Sequence, residues 1–351
     1  MSQATPSSEP IRIGLIGFGM ASTVFHVPLI QSTGRFVITH VLERSSDKSA
    51  VLEPKPTIVR TLGDLLASPI ELVVIASPTS VHFEQAKAAI LAKKHVVADK
   101  PLCVTAAEAE ELVRLASEND VVFTVFQNRR WDSDFLTIKS VIESGKVGEL
   151  ELYEAHYDRY RPTLKGVWRE QAVPGSGILY DLGAHLVDQA LQLFGVPDDV
   201  IADVQIQREG AENDDYFRLE LVYNNRRGLK VILGAGMLAK ELGPKYILKG
   251  TKGRLEKFGE DPQEAMLRDG GRPGDAQWGR ESEEQSATLY LGESSERVPT
   301  HVGTYEVYYA NVADVIRNKT ALFVDPRSIV AQIRIIEDAK KTVRVNRVNS
   351  E

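Results

Sequence analysis

The sequence predicts an α/β chain with two sheets. A doubly wound parallel sheet fills the first third, and an α+β part with a large, mostly antiparallel, open-faced sheet follows. Three observations predict it. Apolar runs alternate with helical patterns between Ile11 and Phe126, the arrangement that produces a parallel sheet. A strand at residues 11–16 runs into a turn containing Gly17 and Gly19. Beyond Gly195 strand follows strand, separated by turn signals such as 223–228 (Tyr-Asn-Asn-Arg-Arg-Gly), as in an antiparallel sheet with one open face. A length of 351 residues suits two domains, each with its own core.

The first strand alternates around Ile11, Ile13, Leu15 and Ile16. The turn after it, Gly17, Phe18, Gly19, Met20, Ala21 and Ser22, leads into a helix. Such a turn aims backbone N–H groups and a helix N-terminus at one point, which suits a pyrophosphate. Ser22 stands where the dinucleotide fingerprint prefers Gly or Ala, so the match is partial.

A second strand, 35–42, ends in Glu43, Arg44 and Ser45. A carboxylate about twenty residues past the glycines binds ribose hydroxyls in NAD proteins, whereas a nearby arginine accepts a 2′-phosphate. Both types stand here side by side. Glu43 argues for NAD; Arg44 with its serines argues for NADP, and the balance leans to NADP.

The apolar run 71–76 reads as a strand covered on both faces and ends in Ser77, Pro78 and Thr79, with His82 opening an amphipathic helix to Leu91. Small hydroxyl residues at a strand's carboxyl end suit cofactor contact. Residues 95–98 form the next strand, running into Asp99, Lys100 and Pro101. Proline stiffens that end and aims Lys100, whose ammonium can stabilise charge on a carbonyl or alkoxide. A helix over 106–118 and a strand over 121–126 complete the pattern.

At Asn128, Arg129 and Trp131 the alternation breaks, and a helix follows over 135–144. The strand 151–160 places Leu152, Glu154, His156, Asp158 and Tyr160 on one face, and Tyr153, Ala155, Tyr157 and Arg159 on the other. Its aromatic and basic residues read equally as a surface for a polyhydroxylated ligand or as plain sheet surface. Glycines at 175 and 177 precede a helix carrying Asp181 and His185, four apart and so on one helical face. A carboxylate beside an imidazole orients it to take a proton from an alcohol; a helix-terminal aspartate and a buried structural histidine are the plainer alternative. That spacing also fits two metal ligands, but no third is evident and no metal is expected.

Further strands are expected over 200–206, 216–223, 228–234, 245–250, 254–258 and 287–291, then a long loop over 259–285 and closing helices over 304–317 and 328–343. The domain division expected is a tail at 1–10, a dinucleotide-binding domain at 11–127, a substrate-binding and oligomerisation domain at 128–322, and a C-terminal helix and tail at 323–351. The open sheet face suggests a homo-oligomer.

Composition narrows the function. A net charge of −7 with scattered basic residues argues against a nucleic-acid partner. The single cysteine, Cys103, excludes an intrachain disulfide framework. No apolar stretch reaches membrane-spanning length, and the polar opening residues lack a signal-peptide core, so the cytoplasm is the expected compartment.

Taken together, the Gly-x-Gly turn, Lys100-Pro101 and Asp181-x-x-x-His185, in that order, resemble the Gfo/Idh/MocA family of NAD(P)-dependent oxidoreductases over residues 11–343. The segments 128–137, 157–162, 215–217 and 243–246 look most similar to the branch that holds the NADP-dependent scyllo-inositol dehydrogenase. The resemblance implies a Rossmann domain, NADP or NAD as cofactor, and oxidation or reduction at a ring carbon of a cyclitol or sugar. By position it makes Lys100, Asp181 and His185 the catalytic set, with Asp99 and Asn128 near the cofactor. Arg129, Trp131, Arg159, Tyr160, Trp168 and Arg169 join Asp181 and His185 as candidates for substrate contact. One departure stands out: Asp99 replaces the glutamate usual before the lysine. Two other readings fit the same residues, a non-catalytic dinucleotide-binding regulator of sugar metabolism and a reductase of a non-sugar carbonyl.

Overall fold

A computed structural model of the protein describes residues 9–167, 170–226 and 228–345. The chain divides into two compact units. The first holds the chain up to Asn128 with Gln263–Trp278 and Thr304–Val330; the second holds Arg129–Pro262, Gly279–Gly303 and the chain from Ala331. The linear division expected at 128–322 and 323–351 thus gives way to an interleaved one, because two segments from beyond residue 262 complete the first unit.

In the first unit, strands β1 (Ile11–Ile16), β2 (Phe36–Leu42), β3 (Thr57–Val59), β4 (Leu72–Ile75), β5 (His95–Ala98) and β6 (Phe123–Val125) form one sheet in the order β3-β2-β1-β4-β5-β6. Every pairing in it is parallel. Its centre is apolar on both faces: Leu72, Val73, Val74, Ile75, Val96, Val97 and Ala98 are fully buried. That burial is why these strands read as continuous apolar runs. Helices α1 (Val27–Ser32), α2 (Leu62–Ala67), α3 (His82–Leu91) and α4 (Ala106–Glu118) lie between the strands in the chain. A capping box starts α4: the Thr105 hydroxyl accepts from Glu108 N–H, and the Glu108 carboxylate accepts from Thr105 N–H. Such a cap contributes about 1 kcal/mol.

The second unit carries α5 (Ser133–Ser144), β7 (Leu150–His156), α6 (Ala184–Phe194) and strands β8 (Asp199–Ile206), β9 (Tyr216–Val222), β10 (Lys230–Gly236), β11 (Tyr246–Gly250), β12 (Arg254–Lys257), β13 (Ala287–Leu291), β14 (Ser294–Val298) and β15 (Arg344–Val345). These strands form a nine-stranded sheet, β14-β13-β12-β11-β7-β10-β9-β8-β15. Two of its pairings, β7 with β10 and β8 with β15, are parallel and the rest antiparallel. The alternation read from the sequence sorts its faces. Tyr153, Ala155, Tyr157, Phe217, Leu219 and Leu221 are buried, whereas Ile201, Arg218, Lys230 and Lys249 are exposed.

Helices α7 (Gln263–Arg268) and α8 (Glu306–Asn318) belong to the first unit, and α9 (Pro326–Lys340) is divided between the units. The sequence did not disclose α7, which interrupts the loop expected over 259–285; six residues are too few to establish a helical period. Strand β14 also escaped notice. Its Ser-Ser-Glu-Arg-Val sequence is that of a polar edge strand, protected by charge and lacking alternation. No helix among the described residues is long and apolar enough to cross a membrane.

Candidate active site

The turn after β1 is shaped for close approach by a ligand. Gly17 has a φ of +86°, and a Cβ there would lie 3.0 Å from the Ala76 carbonyl oxygen at the end of β4. Strands β1 and β4 are neighbours where the strand order reverses, the point at which open α/β sheets bind ligands. A Cβ at Gly19 would meet nothing within 4 Å, so the backbone faces open space. Gly19 and Met20 are exposed, and a π-helical turn over Ala21–His26 runs into α1. The first N–H groups of that helix lack helical acceptors. These features fit a dinucleotide pyrophosphate. Ser22 plays a different part from the contact expected of it. It is fully buried, and its Oγ donates to the Gly17 carbonyl at 2.8 Å, so it ties helix to turn as the fingerprint's third small residue does.

The end of β2 separates the two residues that pointed to different cofactors. The Glu43 carboxylate, 5% exposed, accepts from Ser46 Oγ at 2.5 Å, Lys48 N–H at 3.1 Å and Ser49 N–H at 2.8 Å. Burial alone raises its pKa, but these donors outweigh it and hold the carboxyl below its ordinary value. Arg60 braces the same loop, donating to the carbonyls of Glu43 and Ser46. Glu43 therefore organises its own loop, while Arg44 and Ser45 are exposed.

At the ends of β4 and β5 several of the expected contact residues make hydrogen bonds within the protein. The His82 ring, 1% exposed, bridges the Ser77 carbonyl at 2.7 Å and the Pro101 carbonyl at 3.0 Å, strapping two strand-end loops together. Ser77 Oγ donates to Gln85 Oε1 at 2.6 Å. Thr79 and Asn128 are buried, and Pro78 is exposed. Asp99 Oδ1 accepts from the Lys100 N–H at 2.7 Å. Burial raises the Asp99 pKa, yet the His26 ring and the neighbouring Lys100 and His82 together hold it below the usual carboxylate value.

In the second unit, Asp181 and His185, expected on one face of a helix, lie on a π-helical turn and on the first turn of α6. Leu179–Gly183 is a π-helix that passes directly into α6. Its i→i+5 bonds widen the turn, a distortion frequent at functional sites, while four residues still span just under one revolution. Asp181 is partly exposed, and His185 is 4% exposed, with its ring edge-on to Tyr157 at 6.3 Å between centroids.

Asp214 fixes where this turn begins: its Oδ2 accepts from Leu179 N–H at 2.7 Å, its backbone carbonyl accepts from Ile178 N–H, and Lys340 Nζ pairs with its Oδ1. Gly177, at φ +94°, is obligatory beside it, since a Cβ would come within 2.0 Å of Asp214 Oδ1.

The most charged feature of this unit went unassigned by sequence reasoning. Lys245 Nζ donates to Asp134 Oδ2 at 2.6 Å and to the Tyr157 hydroxyl at 3.1 Å, and lies 3.7 Å from Asp132 Oδ2. Arg129 lies 3.5 Å from Asp132 and stacks over the Tyr157 ring, as Arg159 does from its pairing with Glu260. Burial, together with Asp261 and Asp134, pushes the Asp132 carboxyl up to about 8, against the opposing pull of Arg129 and Lys245. Arg130 makes a buried two-pronged pair with Asp188, at 2.8 and 2.7 Å. The signal was present in the long segments 128–137, 157–162 and 243–246, which meet here.

Among the other substrate candidates, Arg129 and Arg159 belong to this cluster and Trp131 is half-buried. Tyr160 is 53% exposed. Trp168 and Arg169 lie outside the described residues.

Residues 11–127 match the family described as oxidoreductase family, NAD-binding Rossmann fold, and residues 139–348 match its C-terminal alpha/beta domain. The chain is 38% identical over 344 residues to scyllo-inositol 2-dehydrogenase (NADP(+)) IolW of Bacillus subtilis, covering 97% of this chain and 95% of that one. It is 41% identical to the uncharacterized oxidoreductase YdgJ of Escherichia coli, covering 94% and 95%. The solved structure of yvaA from Bacillus subtilis aligns with a TM-score of 0.91 at 38% identity, covering 96% of this chain and 97% of that one.

Proposed function

Since the chain belongs to the Gfo/Idh/MocA family of NAD(P)-dependent oxidoreductases, we propose that it interconverts a ring alcohol and ketone of a cyclitol or sugar, with NADP as the preferred cofactor. One observation carries the reading: near full-length similarity to an NADP-dependent scyllo-inositol dehydrogenase, with Lys100, Asp181 and His185 all present.

The cofactor preference has a second support in the loop after β2. An inward Glu43, its carboxylate taken up by three loop donors, takes its charge away from the place where a 2′-phosphate would sit. Exposed Arg44 and Ser45 supply the guanidinium and hydroxyl that such a phosphate needs. Residues 17–21 would hold the pyrophosphate. Bound there, NADP(H) supplies the two-electron acceptor or donor.

The chain's own residues manage the proton and the charge. His185 takes the hydroxyl proton in oxidation and returns it in reduction, Asp181 orients the imidazole, and the Lys100 ammonium stabilises the developing alkoxide. The Asp132–Tyr157–Lys245 cluster braces the wall on which the His185 ring rests. We also propose a cytoplasmic homo-oligomer assembled through the open face of the nine-stranded sheet; a monomer by light scattering across micromolar concentrations overturns the oligomer.

The test of function is a panel of inositols, their keto derivatives and aldoses assayed with NADP(H) and with NAD(H). Turnover of a cyclitol or sugar with the NADP pair is the expected result. Dinucleotide binding with no turnover across the panel would favour a regulator, and turnover confined to non-sugar carbonyls would move the substrate class.

A further inference from the structure

Behind Lys100 in the first unit lies a set of buried groups that the catalytic reading does not use. His26, fully buried, ends the π-helical turn after the glycines. Its Nδ1 is 2.7 Å from the hydroxyl of Tyr309, a residue of α8 that is 283 positions away and also fully buried. The Phe126 ring packs on the imidazole at 4.5 Å. The remaining nitrogen, Nε2, faces Asp99 Oδ2 at 3.7 Å, beyond hydrogen-bond reach, and is buried with no hydrogen-bond partner. A buried polar nitrogen left in that condition calls for a reason. The other oxygen of Asp99 accepts the Lys100 N–H.

The Asp99 carboxylate that faces Nε2 favours a proton on that nitrogen, which leaves Nδ1 to accept from the Tyr309 hydroxyl. A hydroxyl that donates to Nδ1 leaves the ring proton on Nε2, the atom that looks at Asp99. Aspartate suits this position. With one methylene fewer than the glutamate usual there, Asp99 stops 3.7 Å short of the imidazole.

We propose that Tyr309 and His26 are positioning residues for Lys100: Tyr309 fixes the His26 tautomer, the His26 Nε2–H restrains Asp99, and Asp99 holds the backbone of the catalytic lysine. The role rests on Lys100 acting as the proposed function has it; the tautomer does not.

Two measurements on the full chain test this. The first is the ¹⁵N spectrum of the histidine rings, with His26 assigned by its loss in His26→Gln. The expected wild-type pattern is a protonated Nε2 and a bare Nδ1, with the fixed pattern lost in Tyr309→Phe. A proton on Nδ1, or a pattern that Tyr309→Phe leaves unchanged, overturns the proposal. The second is kinetic. Displacing a positioned group slows turnover, so His26→Leu should lower kcat about tenfold while KM for the cofactor stays within about twofold, and His26→Gln, which keeps an N–H, should recover most of it. An unchanged kcat in His26→Leu overturns the positioning role.

Should His26→Leu not fold, Tyr309→Phe takes its place and is expected to lower kcat in the same way. If the wild-type enzyme turns over nothing on the panel, it is the function that has failed, and the histidine spectrum decides the tautomer by itself.

Discussion

Replacing Arg44 with alanine tests the cofactor assignment where the structure is most specific. The Glu43 carboxylate is buried and accepts from Ser46, Lys48 and Ser49, and Arg44 is an exposed cation next to it. A hydrogen bond to a charged group contributes about 1.5–3 kcal/mol, or roughly 10- to 150-fold in affinity. Arg44 stands in solvent, where screening weakens charge pairing, so the lower end applies: about tenfold weaker binding of NADPH and little change for NADH. Fluorescence titration with both nucleotides at two salt concentrations measures this, and the wild-type preference for NADPH should shrink as salt rises. Glu43→Ala serves as the counterpart. It removes the anchor of the loop and should weaken both nucleotides together. Equal losses for NADPH and NADH in Arg44→Ala, or a loss confined to NADH in Glu43→Ala, would refute the reasoning.

Three further outcomes are expected. His185→Ala should lower turnover by about 10²–10⁴, the usual cost of losing a general base, with the cofactor Kd within about twofold by titration. Gly177→Ala forces a Cβ to within 2.0 Å of Asp214 Oδ1 at a positive φ; overpacking and backbone strain together should cost about 2–5 kcal/mol, seen as an earlier calorimetric transition or failure to fold. Asp132, its carboxyl raised to about 8 by burial and by Asp261 and Asp134, keeps in the native state a proton that the unfolded chain releases near pH 4. Native protein then binds more protons than unfolded protein between those values, so this group's contribution to stability falls as pH rises from about 4 to 8. Asp132→Asn should flatten the decline, and parallel Tm–pH curves for the two proteins would contradict the assignment.

Much of the first unit was legible because its strands are buried on both faces and each is punctuated by glycine, proline or a cap. The glycine turn, Lys100-Pro101 and the helix over 106–118 are local patterns, each written within a short run of the chain. The second unit's strands were legible for a different reason: one sheet face is buried, so Tyr153, Ala155 and Tyr157 alternate with more exposed neighbours. What stayed hidden depends on how loops fold back and on distant partners. That Glu43 turns inward is set by the N–H groups of Lys48 and Ser49 and by Arg60, none of which a strand-end pattern reveals. The pairing of Lys245 with Asp134 spans 111 positions. The His26–Tyr309 contact spans 283. Short or polar elements such as α7 and β14 carry no period to read.

The central claim is that Lys100, Asp181 and His185 serve transfer between a substrate ring carbon and the nicotinamide. Its most direct test is a single turnover with a cyclitol deuterated at the reacting carbon, followed by NMR of the isolated cofactor. Deuterium at nicotinamide C4, formed by the wild-type enzyme and lost in His185→Ala, is the predicted result. Turnover that releases the label to water, or leaves the nicotinamide unlabelled, would contradict it.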